Sequence, residues 1–385
     1  MVFSQYTNVF SIIIYSVLLI PGIIAGIMGK KIKYLGMVAS LFALYMVFGY
    51  RSLQMYQFLI FLVCESILIM FYYFYNKRAK SDFVYFWVLI LSFVPIILIK
   101  SIIYVPRFNF LGFVGISYVS FRIWQLIIEI HDNHIEKLPF LDMLYFITFF
   151  PTISSGPIDR YQRFTKDLDR VIPKNEYVND YLLIGIKKIL LGVVYKLGIA
   201  AFITLYIIDK LPREKTFLSV VIYMYAYTFY LFFDFAGYSN FAIGTSYILG
   251  IKVPENFNKP FLAHNMKEFW DRWHISLSKW FGDYLFSRFV LNTLRNGTFK
   301  SKKIAVRCGY LLTMAVMGLW HGFTLFYIAY GIYQGIMLVI TDFYLKSKTY
   351  RQFKKSKYYD IVSRVICFQI VAIGMLIFSG YLFNI

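Results

Sequence analysis

Two histidines stand inside strongly apolar sequence. His274 lies in EFWDRWHISLSKWF (268–281) and His321 in MGLWHGFTLFYIAYGIYQG (317–335). Each directly follows a tryptophan, and they are 47 residues apart. An ionisable group within a membrane is a functional candidate by default. Neutral imidazole is the cheapest such group, and its ordinary pKa of about 6.5 suits proton transfer. Low dielectric pushes that pKa down, which keeps the ring neutral and able to accept a proton. The chemistry this fits is general-base assistance to a hydroxyl nucleophile. His321 reads as that base or as a hydrogen-bonded core histidine, and its wholly apolar setting favours the base. His274 follows Lys267, Glu268, Asp271 and Arg272, so an interfacial amphipathic helix accounts for it equally well.

The other candidates are weaker. His131 and His134 (EIHDNHIEK) sit in a charged loop and are expected to be solvated, and His264 is expected to cap or line a loop before Asn265. Glu129, His131, Asp132 and His134 are close in sequence, but they lack a helical ligand pair with further converging donors, so no metal site is expected. No Gly-rich phosphate loop appears, and the serines of SYVSF and TISSGP lack a nucleophile-elbow pattern. Cys64, Cys308 and Cys367 form no CxxC pair and read as small hydrophobes. Trp270, Trp273, Trp280 and Trp320 flank the two histidines as an aromatic belt, as a water-excluding wall, or as both.

Positioning such residues needs helices that cross lipid. The chain has 385 residues, 59 % hydrophobic, 21 % aromatic and only 16 % charged, with a mean hydropathy of +0.61. So few charges do not cover a soluble globule of that composition. Apolar runs of roughly 15–25 residues match the hydrocarbon thickness at helical rise, and no alternating short strands suggest a barrel. Predicted spans are 8–28, 34–50, 54–75, 84–100, 110–130, 183–207, 217–233, 236–250, 308–325, 326–344 and 361–382. The stretches 141–157 and 261–290 are interrupted by polar residues, Pro or Gly and read as re-entrant or interfacial. Residues 158–180 read as a partly amphipathic cytoplasmic segment. The opening MVFSQYTNVF lacks a positive n-region, so a retained helix is expected rather than a signal peptide.

The net charge is +20. The cations gather between apolar runs, at Lys30, Lys31 and Lys33, at Lys77, Arg78 and Lys80, in 295–307 and in 346–357. That is the pattern of cytoplasmic loops against anionic headgroups, not of nucleic-acid binding. Placing the four clusters in the cytoplasm puts the N-terminus outside. His321 lies 14 residues beyond Arg307, about 21 Å of helix and past the middle of a core about 30 Å thick. Gly322 and Thr324 then let the chain turn, so His321 is expected near a helix end. One membrane domain is expected over 1–385, with N-terminal helices (1–110), a catalytic core (111–345) and a basic loop with a C-terminal helix (346–385).

PENFNKPFLAHNMKEFWDRWHISLSKWFGDYLF (254–286), MGLWHG (317–322) and FFPTISSGPIDRYQRF (149–164) resemble the membrane-bound O-acyltransferase (MBOAT) family. Within it they resemble the branch that D-alanylates teichoic acids in Gram-positive bacteria. The resemblance covers about 110 to 383. It implies an all-α, polytopic fold, a ring of about eleven transmembrane helices with re-entrant and interfacial helices, in the bacterial plasma membrane. It places the family's histidine on His321 and a second active-site histidine on His274. Tunnel walls are then expected at Trp270, Trp273, Trp320, Asn256 and Ser155. The implied donor is D-alanine held as a thioester on the phosphopantetheine arm of a small acidic D-alanyl carrier protein, with no tightly bound cofactor. The implied acceptor is lipoteichoic acid, reached directly or through a membrane-anchored partner protein.

The acid-free segment with Arg295, Lys302 and Lys303 suits an acidic carrier. Leu285, Phe289, Val290 and Leu294 have helical spacing beside it and offer a docking face. Basic loops that only set topology are the plainer account. Two rivals share these features: an O-acetyltransferase for an exported polysaccharide, and a transporter or flippase with broken helices.

Overall fold

In lipid every backbone N–H and C=O must be satisfied within the protein, so the apolar runs become helices. The computed structural model describes residues 9–49, 52–101, 113–212 and 214–383. The first eight residues, on which the retained-helix expectation partly rests, and the start of the expected span 110–130 lie outside them. Among the described residues there are helices and one isolated bridge, Phe257 with Trp273. Seven helices among the described residues are long and apolar enough to cross a membrane.

The chain divides into two compact units. The first comprises 1–197 and 237–254. It contains α1 (Val9–Ile27), α2 (Lys33–Phe48), α3 (Leu53–Arg78), α4 (Asp82–Lys100), α5 (Ile116–His131), α6 (Phe140–Thr148), α7 (Tyr161–Leu168), α8 (Lys174–Glu176) and α9 (Leu183–Gly192). Ser52 and Ser81 start α3 and α4 by accepting from the amides of Met55 and Val84, which satisfies donors that a helix start leaves open. Nearly every side chain of α5 is buried, the mark of an interior helix rather than one facing lipid. From it, buried Arg122 donates through Nη1 to the carbonyls of Phe146 and Ile147, 2.9 Å each. Its other nitrogen donates to Thr152. The guanidinium thus closes the C-terminal end of α6 and the turn after it, within the interrupted stretch 141–157. Lys33 pairs with Asp142 at 2.6 Å and with Asp169 at 3.4 Å.

The second unit comprises 198–236 and 255–385. It holds α10 (Ala201–Tyr206), the first part of α11 (Phe217–Ile248), α12 (Met266–Arg272), α13 (Ile275–Phe281), α14 (Ser287–Arg295), α15 (Lys302–His321), α16 (Leu325–Leu345), α17 (Lys348–Phe353) and α18 (Tyr359–Phe378). α15 and α16 form a hairpin in which a Cβ on Gly318 would lie 2.5 Å from the Tyr327 carbonyl, and one on Gly331 2.5 Å from that of Met314. Only glycine lets the two backbones approach that closely.

Among the described residues the expected count of about eleven spans is not confirmed. The expected spans 217–233 and 236–250 are the single 32-residue helix α11. Within α11, Gly237 gives the room that Lys196 takes: an added Cβ would meet the Lys196 Cβ at 2.7 Å. His131 is not solvated. It bonds Tyr72 at 2.8 Å and stacks on Tyr85 at 3.9 Å. Cys64 is exposed, whereas Cys367 is buried.

Candidate active site

The second unit's site is built on two short helices and one long one. Asn265 starts α12 by accepting from the amides of Lys267 and Glu268, 3.1 Å each. α12 stops at Trp273, and α13 restarts after His274, which takes a left-handed conformation with φ +45°. A non-glycine residue there is strained, and such strain persists only where surrounding contacts impose it. Those contacts are visible. The extended segment 255–258 runs beside the break: the Asn258 amide donates to the Arg272 carbonyl and the Ile275 amide to the Asn256 carbonyl, each at 3.0 Å. Fully buried Asn256 also accepts from the Ser276 hydroxyl at 2.6 Å. Backbone on both sides of His274 is thereby clamped.

His321 is the last residue of α15, and Gly322 ends the helix with extended backbone. The imidazole packs on Trp320 (4.6 Å between centroids), Phe378 (4.9 Å) and Tyr327 (5.7 Å). His274 is buried and meets Phe235 edge-on at 4.7 Å. Both rings line one cavity of about 60 Å³, with Leu231, Trp270, Trp273, Tyr330 and Met375 among its walls. Burial, with a smaller contribution from nearby His321, pushes the His274 pKa down to about 3. His274 is therefore neutral at physiological pH, able to hydrogen-bond but not to serve as a cation.

A larger cavity of about 590 Å³ shares Trp270 and Met317 with the first. Tyr310, Thr313, Met314 and Met317 line it from α15, at the spacing of one helix face, which continues to His321. Near Tyr310, buried Asp342 accepts from three cations: Lys267 Nζ at 2.8 Å, Arg307 Nε at 3.0 Å and Lys346 Nζ at 2.7 Å. On the other side of α12, Glu268 bonds His264 at 2.8 Å and Arg272 at 2.7 Å. Burial alone raises the Glu268 pKa, but the bonds from His264 and Arg272 outweigh it and hold the carboxyl below its usual range. His264 also reaches Asp360 at 3.0 Å, so it ties α12 to α18 rather than lining a loop.

The structure brings His274, His321, Trp270 and Trp273 to one cavity, and sets Trp320 against the His321 ring. Asn256 acts behind His274 on its backbone. Ser155 belongs to the first unit, where its amide donates to Tyr238 at 3.2 Å. Of the expected docking residues, Leu285 and Leu294 are half-buried and Phe289 packs near Phe299 at 6.4 Å. Val290 is buried against Gly309 of α15 and does not face outward, while Arg295, Lys302 and Lys303 are exposed. Its neighbour Leu291 is the outward residue, at 66 % exposure. Sequence reasoning missed Phe235, Tyr330, Phe378 and Asp342. The first three are aromatics among many, and Asp342 carries no local signal beyond being an acid in an apolar run.

Residues 77–383 match the membrane-bound O-acyltransferase family. Over nearly its whole length the chain is similar to curated proteins named teichoic acid D-alanyltransferase. It is 41 % identical to one from Bacillus subtilis, covering 99 % of each chain, and 37 % identical to one from Streptococcus thermophilus, covering 98 % of this chain and 95 % of the relative. A probable alginate O-acetylase of Pseudomonas aeruginosa is 31 % identical over 69 % of this chain and 48 % of its own.

Proposed function

The chain belongs to the membrane-bound O-acyltransferase family, and from that premise we propose the reaction in full. It is a multi-pass membrane O-acyltransferase of teichoic acid D-alanylation. Its donor is D-alanine carried as a thioester on the phosphopantetheine arm of a carrier protein at the cytoplasmic face. Its acceptor is a hydroxyl of lipoteichoic acid on the other side, reached directly or through a membrane-anchored partner. The observation that carries this reading is the meeting of His274 and His321 in one aromatic-walled cavity joined to a larger one by shared walls.

The chemistry is acyl transfer. The acceptor oxygen attacks the thioester carbonyl while His321 takes its proton. The tetrahedral intermediate collapses with cleavage of the C–S bond, and the proton passes from His321 to the leaving thiolate. Such base assistance contributes roughly 10²–10⁴-fold. His274, neutral and fixed by the Asn256 clamp, orients the donor carbonyl or donates a hydrogen bond to the developing oxyanion. Its strained backbone fits a residue held for a task. The surrounding rings exclude water, which would otherwise hydrolyse the thioester.

The carrier docks on α14 and the basic segment after it. Because Val290 is internal, the contact falls to Leu291 and Arg295 on the outer face, with Lys302 and Lys303 steering an acidic partner. Leu291→Asp is expected to weaken carrier pull-down at least several-fold without loss of folded protein, and undiminished capture moves the docking face elsewhere. The reaction itself is tested by supplying membranes with D-alanyl carrier protein and, separately, with acetyl donors. Label transferred from the D-alanyl carrier alone supports the assignment. Label from acetyl alone replaces it with the O-acetylation named for the alginate relatives.

A further inference from the structure

The cavity of about 590 Å³ has a charge imbalance at one end that the reaction as written does not use. Asp342 is a single carboxylate, yet Lys267, Arg307 and Lys346 all converge on it within 3.0 Å. The cluster keeps two positive charges in excess. It sits one helical turn from the cavity lining on both helices, Arg307 before Tyr310 on α15 and Asp342 after Leu338 on α16. Lys267 itself lines the cavity, and its ammonium lies 5.1 Å from the centre of the Tyr310 ring. Elsewhere the lining carries one cation, Lys279, and two acids, Asp271 and Asp283, so the positive excess belongs to the Tyr310 end.

The geometry points to a phosphate subsite: we propose that Lys267, with Arg307 and Lys346 behind it, holds the phosphate ester of the donor's arm at the Tyr310 end. The inference rests on the phosphopantetheine donor proposed above. Length supports it. Tyr310 precedes His321 by 11 residues on one face of α15, about 16 Å of helix. About 13 backbone bonds separate phosphorus from sulfur in the arm, which at a peptide-like extension span about 15 Å. A phosphate at Lys267 therefore sets the thioester carbonyl beside His321. Between them the arm lies along Thr313, Met314 and Met317. An arm anchored at both ends loses less freedom in the transition state than one held only by its carrier. Phosphate is also the head of a lipid, and the same cations would recognise that chemistry, so the experiment separates the two sources.

The probes are 4′-phosphopantetheine and pantetheine, titrated by calorimetry against the purified full-length protein in detergent. Wild type is expected to bind the phosphorylated arm at least tenfold more tightly. Lys267→Gln is expected to bring the two within about twofold, and Lys267→Arg to restore the preference. Asp342 keeps Arg307 and Lys346 in Lys267→Gln, so the fold survives. Should that variant still fail, Lys346→Gln is expected to reduce the preference in the same direction. Equal affinities in wild type, undetectable binding of both probes, or equal loss of both in Lys267→Gln overturns the subsite. Retention of phosphatidylglycerol over phosphatidylcholine in nanodiscs that depends on Lys267, without preference between the two arms, overturns the donor assignment in favour of a lipid headgroup. If wild type prefers the phosphorylated arm but transfers no D-alanine from the carrier, the phosphate subsite stands and the acyl-transfer reading falls.

Discussion

The interrupted stretch 141–157 and the segment 254–281, which runs into the other interrupted stretch, 261–290, share a sequence pattern, short helices broken by polar residues in apolar surroundings, and put their polar groups to different uses. In the first, Arg122 and Tyr238 spend their hydrogen bonds on the stretch itself: on the carbonyls of Phe146 and Ile147, on Thr152, and on Ser154 and Ser155. In the second, Asn256 and Asn265 satisfy the backbone at the break and the helix start, which leaves the imidazole of His274 on the wall of a cavity. A polar residue in an apolar run is thus no sign of chemistry by itself. What matters is whether a neighbour has already satisfied the backbone around it.

Four substitutions break or sharpen that contrast. The largest effect is expected from His321→Ala: D-alanyl transfer falls roughly 10²–10⁴-fold, while membrane insertion and thermal midpoint stay near wild type. Transfer at near wild-type rate removes His321 from the mechanism. Arg122→Met should do the reverse. It strips two buried carbonyls of their donor, costs roughly 2–4 kcal/mol of stability, and lowers the yield of folded protein more than the turnover of what folds. A turnover loss as deep as that of His321→Ala, with stability intact, would dissolve the distinction between the two stretches.

Asn256→Ala sits between them. It leaves the buried Ser276 hydroxyl without its 2.6 Å acceptor and removes the side-chain part of the clamp after His274, while the backbone bonds of residues 256 and 258 remain, at roughly 1–3 kcal/mol. Turnover is expected to drop about tenfold or more with a smaller change in donor KM, because the loss is of alignment. The smallest effect concerns acid. The folded protein keeps His274 neutral down to pH about 3, whereas the unfolded chain takes that proton near its ordinary value of about 6.5. Between those values the unfolded state binds more protons, so stability falls as pH drops below about 6.5. His274→Asn should lose that component, and its thermal midpoint should decline less steeply than wild type between pH 6.5 and 4. Parallel declines would show that burial does not hold His274 neutral.

Much of this was legible without coordinates. The membrane class follows from composition, because so few charges leave lipid as the only solvent for so much apolar surface. Both WH pairs stand out because imidazole is rare and costly in such runs. The docking face was misread at Val290 because helical spacing names one apolar stripe without saying whether α15 or a partner covers it. The fusion of 217–233 and 236–250 into α11 was hidden because hydropathy alone does not say whether two adjacent apolar runs form one helix or two.

By itself the chain determined a helical protein of the membrane, its family and the two histidines proposed here for its chemistry, since hydropathy and residue type are local properties carried by each position. Only the tertiary structure decided that His274 is strained and clamped by Asn256, that Phe235, Tyr330 and Phe378 complete the walls, and that Asp342 gathers three cations. Those facts join residues tens of positions apart, and such pairings are fixed by close packing of whole helices rather than by anything written at either residue.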